Sequence, residues 1–376
     1  MGGSVQDRGI VKQFVSGRPS DIGRAGAGGY PCQGVYYRPD DEWPTTVVIA
    51  THYDIDFSEH YLAERFASRG IGFLGWNTRF RGAGAYFLLE QALVDIGEGV
   101  RWLRETARAH QVVLLGNSGG GSLMAAYQSQ AVRPSLHSPW VAMVPAELSS
   151  LPAADLYISL NAHPGRPDVF TAWLDPSVTD ENDPLSVDDS LDMFNAQNGP
   201  PYSAQFMIRY REGQRTRNQK ITDWVKEELV RMEKARASDR IFCVHRVWAD
   251  PRCEDLTLEP TQRKTGCYRG DTRTANYGAT GVGRSSTLRT WLSMWSLETS
   301  PCRVGGHLPN VTIPSLVVQS LGDEGVFPRD ADELFSTLGA EDKEKKLVSG
   351  DHYFLDTPTG RDEVADLLVD WLHRHP

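Results

Sequence analysis

The sequence predicts an α/β fold: a mostly parallel central sheet flanked by helices, interrupted by one long insertion. Three observations carry that prediction. Short β-branched runs alternate with helical periodicities over the first 165 residues; the alternation stops from about 166 to 310; then it resumes to the end. Strands separated by helices imply parallel pairing, because a crossover is needed to return each strand to the same sheet. The 376 residues, 40% hydrophobic and 23% charged, supply enough apolar material for a large core and argue against disorder.

In chain order, Thr45–Thr51 (TTVVIAT) is a β-branched run of the kind found in buried strands. Leu62–Ser68 is a short amphipathic helix closed by Gly70, and Gly72–Trp76 is a second strand. Across Ala85–Thr106, Leu88, Leu89, Ala92, Ile96, Val100 and Leu103 recur mostly three or four apart, as one buried helical face requires. Val112–Leu115 is a third strand. It runs directly into Gly116-Asn117-Ser118-Gly119-Gly120-Gly121 and the helical run Ser122–Gln128. Leu156–Leu160 is a fourth strand, ending at Asn161-Ala162-His163-Pro164-Gly165.

Within the insertion, proline, glycine, aspartate and arginine are frequent and two helices stand out. Ile221, Val225, Leu229 and Met232 recur at helical spacing, and Thr287–Leu297 is strongly apolar. At about 145 residues the insertion is too long for a simple loop. The predicted organisation is therefore a core of residues 1–165 and 311–376 with a mainly helical cap, 166–310, inserted before a strand at Ser315–Gln319. A helix at Ala331–Leu338, a strand at Lys345–Val348 and a last helix follow. That last helix carries Val364, Leu367, Leu368, Trp371 and Leu372, and Thr359 with Asp362 at its start resembles a capping box.

The net charge of −10 disfavours nucleic acid as a partner, since phosphate binding needs a basic face. No uninterrupted apolar segment opens the chain and none approaches the ~20 residues that cross a bilayer. The expectation is a cytoplasmic protein without a membrane partner, acting on a small molecule; a homodimer stays open. Five cysteines (Cys32, Cys243, Cys253, Cys267, Cys302) form no C-x-x-C pair, although one disulfide among the three at 243–267 stays open. With no H-E-x-x-H pair and no carboxylate-rich calcium loop, neither a metal nor another cofactor is expected.

Chemistry concentrates at Gly116-Asn117-Ser118-Gly119-Gly120. A G-x-S-x-G pentapeptide is a weak signal alone, but here a buried strand precedes it and a helix follows it. A serine at such a turn sits in strained backbone, its Oγ above the carboxyl ends of the strands, with a helix N-terminus behind it. A hydroxyl nucleophile needs a base, and the base needs a carboxylate to orient it. His352, between the last strand and the last helix, is placed to be the base. Asp323, after the strand Ser315–Gln319, is preferred over Glu324 as the acid because a short rigid carboxylate suits holding an imidazole; Asp351 is a third candidate. The backbone N–H of Gly119, with one from the loop Thr51-His52-Tyr53-Asp54, is expected to form the oxyanion hole, Tyr53 being preferred and Asp54 the alternative. His52, Asp54 and His163 are candidates to line the substrate site.

These motifs, with Asp323 before Val326-Phe327-Pro328, Gly350-Asp351-His352-Tyr353 near the end and Asn77-Thr78-Arg79-Phe80-Arg81-Gly82, resemble the α/β-hydrolase superfamily, in particular bacterial members with a large cap insertion. The resemblance implies the α/β-hydrolase fold, a Ser118–His352–Asp323 triad and carboxylesterase or lactonase activity without a cofactor. Where many members have His-Gly after the first core strand, this chain has His52-Tyr53. Some bacterial members open aromatic macrolactones such as zearalenone, a substrate type the resemblance allows; the aromatic residues of the insertion point to a bulky, apolar, uncharged ester or lactone. The same triad also serves carbon–carbon bond hydrolases and amidases, and a hydrolase scaffold can serve as a non-catalytic binding protein.

Five of the ten tryptophans (Trp173, Trp224, Trp248, Trp291, Trp295) fall in the insertion. Trp224 reads as core, while Trp291 and Trp295, four apart on an apolar helix, are expected to wall the pocket. Gly278–Ser285 nearly spells a phosphate-binding loop but has Arg284 where lysine is required, so it reads as a turn-rich piece of the insertion. Arg209, Arg211, Arg215, Arg217 and Lys220 read as a solvated face paired with nearby carboxylates, with an anionic substrate group as the other reading.

Overall fold

A computed structural model describes residues 9–17, 31–141 and 144–376; the first eight residues of the N-terminal stretch read for a leader lie outside them. An eight-stranded sheet runs through the molecule in the order β1-β2-β4-β3-β5-β6-β9-β10. Its strands are β1 (Ile10–Ser16), β2 (Gln33–Pro39), β3 (Thr46–Ala50), β4 (Gly72–Asn77), β5 (Gln111–Asn117), β6 (Leu156–Leu160), β9 (Ser315–Ser320) and β10 (Lys343–Val348). From β4 onward every pairing is parallel, whereas β1 pairs with β2 and β2 with β4 antiparallel. The antiparallel pair was not expected from the sequence. Its strands mix charged, polar and aromatic residues, and Phe14 on β1 is exposed, so neither shows a continuous buried run.

Alternation along the parallel strands sends side chains to two cores. On one face, Val48, Ala50, Phe73, Val113, Leu115 and Val318 pack against α1 (Ala63–Ser68) and α9 (Gly360–Arg374). On the other, Val47, Ile49, Leu74, Trp76, Val112 and Leu114 meet α2 (Leu89–Glu105), α3 (Gly120–Val132) and α8 (Pro328–Thr337). At the start of α9 the Thr359 hydroxyl donates to Glu363 and accepts from no backbone N–H of the helix, so the expected capping box is absent.

The insertion continues the second core. It contributes α4 (Arg166–Trp173), the 31-residue α5 (Ala204–Lys234), a two-stranded ribbon of β7 (Ile241–Cys243) and β8 (Ser285–Thr287), α6 (Thr272–Tyr277), and α7 (Leu288–Thr290), which runs into a π-turn at Trp291–Trp295. The expected mainly helical cap is thus one long helix bordered by irregular chain. Buried ion pairs tie that chain together: Arg246 to Asp175 at 2.6 Å, and Arg211 and Arg252 to Asp250 at 2.7 and 2.8 Å. These pairs explain why hydrophobic periodicity fails there. All five cysteines are free, so the disulfide left open at 243–267 does not form. No helix among the described residues is long and apolar enough to cross a membrane.

Candidate active site

The candidate residues converge at the carboxyl ends of the parallel strands, where open α/β sheets bind ligands. Ser118 follows β5 directly and has φ +55°, the strained left-handed region, with α3 starting two residues later. The turn can be this sharp because a Cβ at Gly116 would collide with the backbone of Gly121. The Ser118 N–H donates to the Leu160 carbonyl at 3.0 Å, anchoring the turn to the end of β6.

His352 and Asp323, brought from β10 and β9, are both buried, and His352 Nδ1 lies 2.6 Å from Asp323 Oδ2. The second oxygen, Oδ1, accepts from the N–H groups of Gly325 and Val326, each at 2.9 Å, so the carboxylate has one orientation. Glu324 does not meet the imidazole; burial and the neighbouring Asp323 push its carboxyl above the usual range. Asp351 accepts from the N–H groups of Tyr353 and Leu355 at 3.0 and 2.8 Å and so closes its own turn.

Asn161, which sequence reasoning passed over, links these loops. Its Nδ2 donates to the His352 carbonyl at 3.0 Å, and its Oδ1 accepts from the Ser320 N–H at 2.8 Å. It has φ +45°, and no pattern in the sequence marks it. Tyr268 was also missed. Its ring lies 4.3 Å from that of His352, and its hydroxyl is buried without a partner among the described residues. Burial, with Asp323 nearby, holds that phenol well above its usual value. Gly325 leaves the room that Tyr268 occupies. A single tyrosine in an irregular segment carries no sequence signal.

On the other side of Ser118 stand His52, Tyr53 and Asp54, after β3. The backbone N–H groups of Gly119 and Tyr53 have no acceptor among the described residues. The Tyr53 side chain itself is occupied, its hydroxyl 2.9 Å from Ser122 Oγ. His52 is buried, and desolvation, then the charge of Arg166, lowers its pKa to about 4, so the ring is neutral near pH 7. Asp54 lies 3.7 Å from His52 and 3.8 Å from Arg166 and is held below the usual carboxylate range by both. His163 is buried with Nδ1 unpartnered, and burial, then Arg166, pushes it well below an ordinary imidazole.

Arg166 was not expected here. It opens α4, at the first residue of the insertion, and its guanidinium lies 4.5 Å from the Tyr53 ring centre and 5.7 Å from that of Trp295. A hydrophobicity pattern has no way to mark a lone buried cation.

The tryptophan expectations divide. Trp295 does stand beside Arg166 and Phe170, but Trp291 is fully buried, with Nε1 donating to Thr222 Oγ1 at 3.0 Å and its ring against Phe170 and Phe242. Trp291 is therefore part of the insertion's core and no wall. Trp224, read as core, is instead 39% exposed. It lines a cavity of about 690 Å³ with Phe242 and His245, whose lining includes none of Ser118, Asp323 and His352. A tryptophan at helical spacing can thus face a cavity, and one on an apolar turn can be fully enclosed; spacing does not separate the two. Arg284 donates to the carbonyls of Val247, Ala275 and Asn276, a structural role, as its near-motif context suggested. In the basic cluster, Arg211 pairs with Asp250 and Arg217 with Glu181, although Arg217 is buried and not solvated.

No family model and no curated protein matches the chain. Its fold is similar to that of the α/β hydrolase GrgF from Penicillium sp. sh18 (TM-score 0.55, 13% identity, covering 97% of this chain and 99% of that one). It is likewise similar to DcsB, solved with a substrate analogue (TM-score 0.50, 14% identity, covering 97% and 99%). The chain has the α/β-hydrolase fold.

Proposed function

We propose that the protein is a serine hydrolase cleaving a carboxylic ester or lactone, with Ser118 as nucleophile, His352 as base and Asp323 as the orienting acid. The observation that carries this reading is the combination of Ser118 at φ +55° on a strand-to-helix turn with a buried His352–Asp323 pair at 2.6 Å. Strain at a non-glycine residue persists only where the surrounding structure enforces it, and such sites cluster at functional centres.

With Nδ1–H held by Asp323, the lone pair of His352 is on Nε2 and takes the Ser118 proton as Oγ attacks the carbonyl carbon. The π electrons move onto the carbonyl oxygen, which the N–H groups of Gly119 and Tyr53 receive. Collapse restores the C=O bond and expels the alkoxide, which takes the proton from His352. Water then repeats the sequence on the acyl-enzyme and releases the acid and Ser118. An ester or lactone is favoured over an amide because an alkoxide leaving group demands less of the acid. The rings of Tyr53, Phe170, Trp295 and Tyr268 near the site support a bulky apolar or aromatic substrate, for which a zearalenone-type macrolactone is a suitable trial compound.

The test is a fluorophosphonate probe together with p-nitrophenyl esters of graded acyl length. Labelling of Ser118, detected by peptide mass spectrometry, with ester turnover abolished in Ser118→Ala, is the expected result. Absence of both labelling and turnover would overturn the reading.

A further inference from the structure

The described residues include five buried arginines: Arg166, Arg217, Arg246, Arg263 and Arg284. Four of them donate to oxygen. Arg217 meets Glu181 twice at 2.7 Å, Arg246 meets Asp175 at 2.6 Å, Arg263 reaches the Arg252 carbonyl at 3.0 Å, and Arg284 bonds three carbonyls. The guanidinium of Arg166, a residue 2% exposed, has no oxygen within hydrogen-bond distance among the described residues. Its Nη2 lies 3.3 and 3.4 Å from the two ring nitrogens of His52, the ion pair with Asp54 is no shorter than 3.8 Å, and Nε has no partner among the described residues. A desolvated guanidinium without a hydrogen-bonded anion is costly, and is retained where a negative charge arrives during function.

Its position says which charge. A Cβ at Gly119 would stand 2.7 Å from Arg166 Nη2 and 2.7 Å from His52 Nε2. The residue after Ser118 is thus a glycine whose missing side chain leaves the place that the guanidinium and the His52 ring occupy. We propose that Arg166 is a catalytic residue of this site: its guanidinium supplements the Gly119 and Tyr53 N–H groups in stabilising the oxyanion formed when Ser118 attacks. The proposal rests on the serine-hydrolase reading above. His52 is neutral beside it and Asp54, at 3.8 Å, lies beyond hydrogen-bond distance, so the guanidinium keeps donors free for a second anion. In a water-poor site such a preorganised charge acts on the transition state without reorganising.

Arg166→Met and Arg166→Lys test this, in the full-length protein. The fluorophosphonate rate constant for Ser118 is measured first, since it needs no knowledge of the substrate and also builds negative charge on an oxygen in the same hole. The kcat and KM on a neutral p-nitrophenyl ester, the inhibition constant of a trifluoromethyl ketone, and the Tm complete the set. Arg166→Met is expected to lower labelling and kcat about 10²–10³-fold with KM within about threefold, and to weaken the ketone by a similar factor. Its Tm is expected to change little, because Arg166 makes no hydrogen bond to a carboxylate and its ion pair with Asp54, at 3.8 Å, is long. Arg166→Lys should recover at least tenfold of the loss. Unchanged rates would overturn the proposal. So would a loss confined to esters bearing a carboxylate, which would make Arg166 a reader of substrate charge, or a loss that tracks a fall in Tm. If the wild type is not labelled at Ser118, the nucleophile assignment fails and this proposal with it; labelled wild type with an unaffected Arg166→Met removes only this proposal.

Discussion

Asp323→Asn isolates the role of one hydrogen bond. In the structure Oδ1 of Asp323 is already committed to the Gly325 and Val326 N–H groups at 2.9 Å, which leaves Oδ2 for His352 Nδ1 at 2.6 Å. An asparagine of the same shape keeps its oxygen on those two N–H groups, since its amide nitrogen cannot accept them. The amide nitrogen therefore faces His352 and donates to Nδ1, which drives the imidazole proton to Nε2. A ring protonated there cannot take the proton from Ser118. In serine proteases a wrong tautomer of this kind costs about 10⁴ in kcat, equal to roughly 5–6 kcal/mol of transition-state stabilisation at 1.36 kcal/mol per decade. Because the substitution is isosteric and keeps two of the three bonds, Tm should move little. The assay is kcat and KM on the best p-nitrophenyl ester, with Glu324→Gln alongside and Tm measured for both. Glu324→Gln should stay within about threefold, since Glu324 does not reach the imidazole. Retention of more than a tenth of the activity by Asp323→Asn, or a larger loss from Glu324→Gln, would refute the assignment of the acid.

Gly119→Ala forces a Cβ to 2.7 Å from both Arg166 Nη2 and His52 Nε2, so those groups must shift; overpacking of this kind costs about 1–3 kcal/mol of stability, read as a lower denaturation midpoint together with slower Ser118 labelling. His52 and His60 are buried with pKa values lowered to about 4, mainly by desolvation, whereas in the unfolded chain they titrate near the ordinary 6.5. The unfolded state binds the extra protons between those values, so stability is full above about pH 6.5 and declines as pH falls toward 4, by about 3 kcal/mol for each ring. Urea titrations across that range should show the decline, and His60→Gln should reduce it; a flat profile would contradict the buried neutral rings. Trp291→Ala should cost about 3–5 kcal/mol by opening the cap core, whereas Trp224→Ala, at a 39% exposed position, should cost much less; equal losses in thermal denaturation would contradict the packing described.

The parallel half of the fold was legible because its strands are buried on both faces. Val112–Leu115 and Leu316–Val318 are continuous buried apolar runs, and α2 carries the apolar residues of one buried face at helical spacing. The elbow at Ser118 was legible for a related reason: close backbone approach and a sharp turn admit only small residues, so the glycines stand out in one dimension. Asp323 and His352 could be picked by their place after the last two parallel strands. The antiparallel β1 and β2, half-exposed and mixed in character, gave no comparable pattern.

By itself, then, the amino-acid sequence determined the parallel part of the sheet, the turn that strains Ser118 and the strand ends from which the acid and the base project, because each follows from local periodicity or backbone sterics. Only the tertiary structure decided which carboxylate meets His352, that Asn161 braces the loops, and that Tyr268 packs on the imidazole. It also decided that Trp291 is enclosed while Trp224 is open, and that Arg166 stands beside Gly119 with its Nε unpartnered among the described residues. These depend on segments far apart in the chain meeting in an insertion held by ion pairs and irregular turns. Charge complementarity of that kind has no period for a sequence to display.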